Sequence, residues 1–77
     1  MDISLADVMI HIDETLPSAR RGEVEERLRG FDGVVSVRNS DEKPHLVIVE
    51  YRPDKVKAQA LLASVRSEGV HAELVGL

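Results

Sequence analysis

The chain has 77 residues, with 10 Lys and Arg against 14 Asp and Glu, so its formal charge is −4. A chain this short buries only roughly 60% of the surface its unfolded form exposes, which sets the expectation of one domain over residues 1–77 with one thin core and no deep catalytic cleft. The acidic balance, with Phe31 and Tyr51 as the only aromatic residues of the Phe, Trp and Tyr set, argues against a nucleic-acid partner, and the absence of cysteine removes disulfides, thiolate metal sites and cysteine nucleophiles.

The N-terminal residues carry acids where a leader would carry a positive region, and no apolar run approaches the roughly 20 residues that cross a bilayer, so neither leader nor membrane span is expected and a cytoplasmic location is the default. From Val8 to Asp13 the sequence alternates with period two, a strand with Val8, Ile10 and Ile12 on one face and Met9, His11 and Asp13 on the other. Thr15 to Ser18 breaks the alternation, and Ser18 is placed as the N-cap of a helix whose Val24, Leu28 and Phe31 follow i, i+4, i+7 spacing. Glu23 with Arg27 and Glu25 with Arg29 form i, i+4 charge pairs, each contributing about 0.3 kcal/mol, while Gly22 costs about 1 kcal/mol relative to alanine.

Gly30 to Gly33 ends this helix. Val34 to Arg38 reads as the second strand, Asn39 to Pro44 as a turn, and His45 to Tyr51 as the third strand, with His45 structural or turn-associated. Pro53-Asp54 stops that strand and starts a second helix with Ala58, Leu61, Leu62 and Val65 as its apolar stripe and Gly69 as its C-terminal cap. Val70 to Val75 closes as the fourth strand. The order is a two-fold βαβ repeat, which packs as an α+β, ferredoxin-like βαββαβ sandwich: a four-stranded antiparallel sheet with two helices on one face.

The sequence resembles the heavy-metal-associated domain family of small copper chaperones and ATPase N-terminal modules. The resemblance rests on Ile10 and Ile12, Val24 and Leu28, Gly33-Val34 with Val37, Val49-Glu50-Tyr51 with Asp54, and Gly69-Val70 before Ala72-Glu73. In that family a Met-x-Cys-x-x-Cys loop after the first strand binds a soft cation through two thiolates. Counting back from Gly33, the Met position falls on Thr15 and the Cys positions on Pro17 and Arg20. Proline has no donor atom and a guanidinium is cationic, so the resemblance implies the family's fold without its Cu(I) site. Arg20 and Arg21, at the positive end of the first helix, are candidates instead for attracting an anion.

On the sheet face away from the helices, period two places Met9, His11 and Asp13, then Leu46, Ile48 and Glu50, then His71, Glu73 and Val75. His11, His71 and Glu73 form a candidate set for Zn(II), Ni(II) or Cu(II), the one cofactor class the residues suggest. Met9, Leu46, Ile48 and Val75 make an apolar patch suited to a protein partner or a second copy, unless Ile3 and Leu5 or Gly76 and Leu77 fold over it. No serine has a base placed beside it by motif and no glycine fingerprint for phosphate is present, so the chain is expected to be a non-enzymatic binding module. An RNA-recognition role lacks the outward aromatics that base stacking needs, and a dimeric small-molecule sensor of the ACT type lacks a glycine in the loop from Asp13 to Ser18.

Overall fold

The computed structural model describes residues 4–76. Six elements follow one another: β1 (Ala6–Ile12), α1 (Ser18–Arg29), β2 (Val34–Ser40), β3 (Lys43–Tyr51), α2 (Ala58–Arg66) and β4 (Ala72–Val75). The strands form one sheet in the order β2-β3-β1-β4, antiparallel at every pairing, which is the ferredoxin-like arrangement that the βαβ repeat predicts.

The period-two alternation decides which face is covered. Val8, Ile10 and Ile12 of β1, Val47, Val49 and Tyr51 of β3, and Ala72 of β4 are buried, packed against Val24 and Leu28 of α1 and Leu61, Leu62 and Val65 of α2. Phe31 and Leu16 are partly buried against this cluster. Among the described residues no polar or charged residue is buried, so the core is held by apolar packing alone.

Several boundaries differ from the sequence expectation, each for a local reason. The N-cap of α1 is Pro17 and not Ser18: Pro17 is extended (φ −66°, ψ 159°) and its carbonyl accepts the amides of Arg20 and Arg21 at 3.0 Å, with no side-chain cap. Pro53-Asp54 does not open α2. The amides of Lys55 and Val56 return to the Arg52 carbonyl in a turn that buries Val56, and the helix begins at Ala58. Gly33 makes room for this turn: it adopts φ +100°, and a Cβ there would lie 2.5 Å from Lys55 Cβ. At its other end α2 runs through a further turn to Gly69 at φ +86°, so Gly69 closes the exit two residues beyond the cap position, Ser67. β4 starts at Ala72, leaving Val70 and His71 before the strand.

Candidate functional site

Two regions of the molecule carry chemistry: the β1–α1 loop and the uncovered face of the sheet. At the loop, Arg20 points across to the end of α2. Its Nη1 donates to Glu68 Oε1 at 2.6 Å and to Glu23 Oε2 at 2.8 Å, and its Nη2 donates to the Glu68 carbonyl at 2.5 Å. Arg27 also pairs with the Glu68 carboxylate through Nε. The hydrogen bond from Arg20 is the main reason the Glu68 carboxyl is held below its usual range, and the Arg20 guanidinium is in turn raised by Glu68.

Arg21 is equally engaged. It donates to the Leu16 carbonyl (3.3 Å), Asn39 Oδ1 (2.8 Å) and Asp41 Oδ1 (2.8 Å), tying α1 to the β2–β3 turn. Both guanidinium groups named as anion candidates, Arg20 and Arg21, thus hold carboxylate, amide or backbone carbonyl oxygens of this chain. Of the two intrahelical pairs expected in α1, Glu25–Arg29 forms at 3.0 Å, whereas Glu23 takes Arg20 and leaves Arg27 to Glu68.

The open face is organised by strand register. Arg38 lies opposite Ile48, Ile48 opposite Met9, and Met9 opposite Val75, giving one row across all four strands. The adjoining row runs Leu46, His11, Glu73, and on the other side lie Ser36, Glu50 and Asp7. Met9, Leu46 and Ile48 are half-buried and Val75 is exposed at 37%, so the four expected patch residues do come together on adjacent strands. Leu5, one candidate to cover them, is itself 48% exposed, and Gly76 is exposed, with nothing within 4 Å of where a Cβ would stand; Ile3 and Leu77 lie outside the described residues.

His11 and Glu73 are direct cross-strand partners, and one ligand atom from each of His11, Asp13 and Glu73 lies within 4.8 Å of the other two. Of the expected set, His11 and Glu73 come together in this group and His71 does not. Register places it one position before β4, where its carbonyl accepts the Asp13 amide at 2.9 Å, and its ring turns to the β1–α1 loop. There Nδ1 lies 2.7 Å from Glu14 Oε2 while the His71 amide donates to Glu14 Oε1 at 2.9 Å. This pairing raises the His71 imidazole and lowers the Glu14 carboxyl from their usual values.

His45, at the start of β3, places Nδ1 2.8 Å from the Ile12 carbonyl, and since a carbonyl only accepts, Nδ1 carries the proton. Its ring stacks on that of His11, with centroids 5.7 Å apart and planes 17° apart. Asp13 joins His11 by the same alternation that puts Met9 and His11 on one face, so the signal for it was present in the sequence. Glu68 had no such signal, since its partner Arg20 is 48 residues away.

No family model matches the chain, and no curated protein matches it. Solved structures do. The N-terminal domain of a potential copper-translocating P-type ATPase from Bacillus subtilis, in its Cu(I)-loaded state, superposes with a TM-score of 0.83 at 24% identity, over 95% of this chain and 90% of that one. Oxidized MerP from Ralstonia metallidurans CH34 gives 0.83 at 18% identity, over 95% and 100%. The yeast copper transporter domain, solved in apo and Cu(I)-loaded states, gives 0.80 at 20% identity, over 91% and 94%. The chain therefore has the fold of heavy-metal-associated domains, carried by a sequence with no cysteine.

Proposed function

We propose that this chain is a non-enzymatic binding module that engages a partner protein through the open face of its sheet and has no role in thiolate transfer of Cu(I). The observation that carries the reading is the Ile48–Met9–Val75 row, an apolar strip on three adjacent strands that neither helix covers. Covering such side chains is worth about 25 cal/mol per Å² of apolar area before the cost of association. The neighbouring rows supply Asp7, Glu50, Glu73 and Asp13, with Arg38 at the β2 margin, so the rim is mostly acidic. Two copies placed face to face would bring like charges together, whereas a partner with a Lys- or Arg-rich rim complements them. Arg29 favours the face over the β2 edge as the contact, because its Nη2 reaches that edge strand and donates to the Val37 carbonyl at 3.3 Å.

A photo-crosslinking residue placed at position 48, with a control at Glu26 on α1, tests this directly in cells that make the protein. The expected outcome is a discrete adduct with one other protein from position 48 only, lost when Met9→Glu is added. Identical adducts from both positions, or none from position 48, overturn the reading; an adduct between two copies of this chain overturns the choice of a basic-rimmed partner.

A further inference from the structure

We propose that His11, Asp13 and Glu73 form a site for one borderline divalent cation of the Zn(II) type at the β1–β4 margin of the open face. Three observations carry it. First, His11 Nδ1 is shut off from solvent and lacks a hydrogen bond among the described residues: Asp13 Oδ1 is 3.2 Å away but not aligned with the ring nitrogen for one. The His11 side chain is 37% exposed overall, but a ring nitrogen closed off from solvent and left unpaired is costly, and a cation accepting its lone pair removes that cost.

Second, the donor set is already assembled by backbone rather than by chance side-chain reach. The antiparallel ladder sets His11 opposite Glu73, and Asp13, just past the end of β1, is held by its amide on the His71 carbonyl with its carboxylate 3.2 Å from the His11 ring. Ligands about 2.0–2.2 Å from a tetrahedral ion stand about 3.4 Å apart, so the 3.2 Å between His11 and Asp13 fits a shared ion, and rotation of exposed Glu73 closes the remainder.

Third, the surroundings hold the imidazole and leave the charge unanswered. The His11 ring is fixed by stacking on His45, whose Nδ1–H is held by the Ile12 carbonyl. Glu73 has no ion pair among the described residues, and Asp13 has only the contact with His11. Arg66, on the helix beneath the same margin, gives its Nε to the Ala72 carbonyl, and His71 is held by Glu14. One imidazole and two carboxylates, with a fourth position open to water, suit Zn(II) and offer no soft sulfur to Cu(I).

The test is titration of the full chain with Zn(II) alone at about pH 7.5, followed by NMR of the imidazole and carboxyl resonances and by calorimetry. Expected are shifts of His11, Asp13 and Glu73 that saturate at one ion per chain, and affinity at least about tenfold weaker in Glu73→Gln, a substitution that keeps the side chain's shape. His71→Ala should leave affinity unchanged, which separates this site from one built on both histidines. Shifts confined to His71 or His45, loss of binding in His71→Ala, equal affinity in Glu73→Gln, or a response that never saturates would each overturn the proposal. Amide spectra of the metal-free variants check that the fold is retained, and His11→Asn supplies a second ligand deletion if Glu73→Gln proves unfolded.

Discussion

Arg20 and Glu68 stand 48 residues apart in the chain and 2.6 Å apart in space, and their contact occupies the place where the resemblance assigns a thiolate. Charge replaces sulfur there. Arg20 holds the loop to the end of α2 through a carboxylate and a carbonyl of the same residue, with Arg27 on the other carboxylate oxygen. A loop fastened in this way, with Pro17 as its extended N-cap, offers no soft donor to Cu(I). In competition against a Cu(I) chelator, the chelator is expected to keep the metal in full. Stoichiometric retention of Cu(I) by the protein would show that the site survives by other ligands.

Elements are tied to one another by polar contacts at their ends, and the Glu14–His71 pair joins the β1–α1 loop to the start of β4. The signs of the two shifts define a pH window. His71 is raised, chiefly by its hydrogen bond with Glu14, so its contribution to stability is complete below its ordinary value near about 6.5 and is lost as pH rises through the raised value. Glu14 is lowered, chiefly by the same bond, so its contribution is complete above its ordinary value near about 4.5 and is lost as pH falls through the lowered one. The pair is therefore at full strength between about pH 4.5 and about pH 6.5. In Glu14→Gln the His71 ring is expected to titrate lower than in the parent, and the melting temperature to depend less on pH above about 6.5 and below about 4.5, where the parent loses the pair; an unchanged His71 titration by NMR would show that the pair does not form in solution.

The whole molecule is a sandwich with one face filled and one face free, so the same kind of substitution should have opposite consequences on the two sides. Leu28 is fully buried between α1 and the sheet, and Leu28→Ala is expected to cost about 2–5 kcal/mol of stability in chemical denaturation. Ile48, in the middle of the open row, supports no core contact, so Ile48→Glu should change stability by less than about 1 kcal/mol while removing partner binding. An unfolded Ile48→Glu variant would mean that the face is part of the core.

Period-two alternation in β1 and β3 and the helical stripes at Val24–Leu28 and Leu61–Val65 set the inward face, because a one-residue slip would turn every apolar residue outward, and the βαβ repeat set the fold class and the strand order. The same alternation marked Met9, Leu46, Ile48 and Val75 as neighbours on the outer face. Helix boundaries were less legible: a turn that buries Val56 delayed α2, and an extended proline displaced Ser18 from the cap. What tertiary structure alone decided is the pairing of polar side chains across long sequence distances. Sequence pattern fixes the face of a residue but not the direction of its flexible end, so His71 went to Glu14, Arg20 to Glu68 and Arg21 to Asp41, while Asp13 took the position beside His11 and Glu73. Apolar burial is a one-dimensional pattern that local spacing records; a hydrogen bond is a directional contact that exists only once the backbone has brought its two ends together.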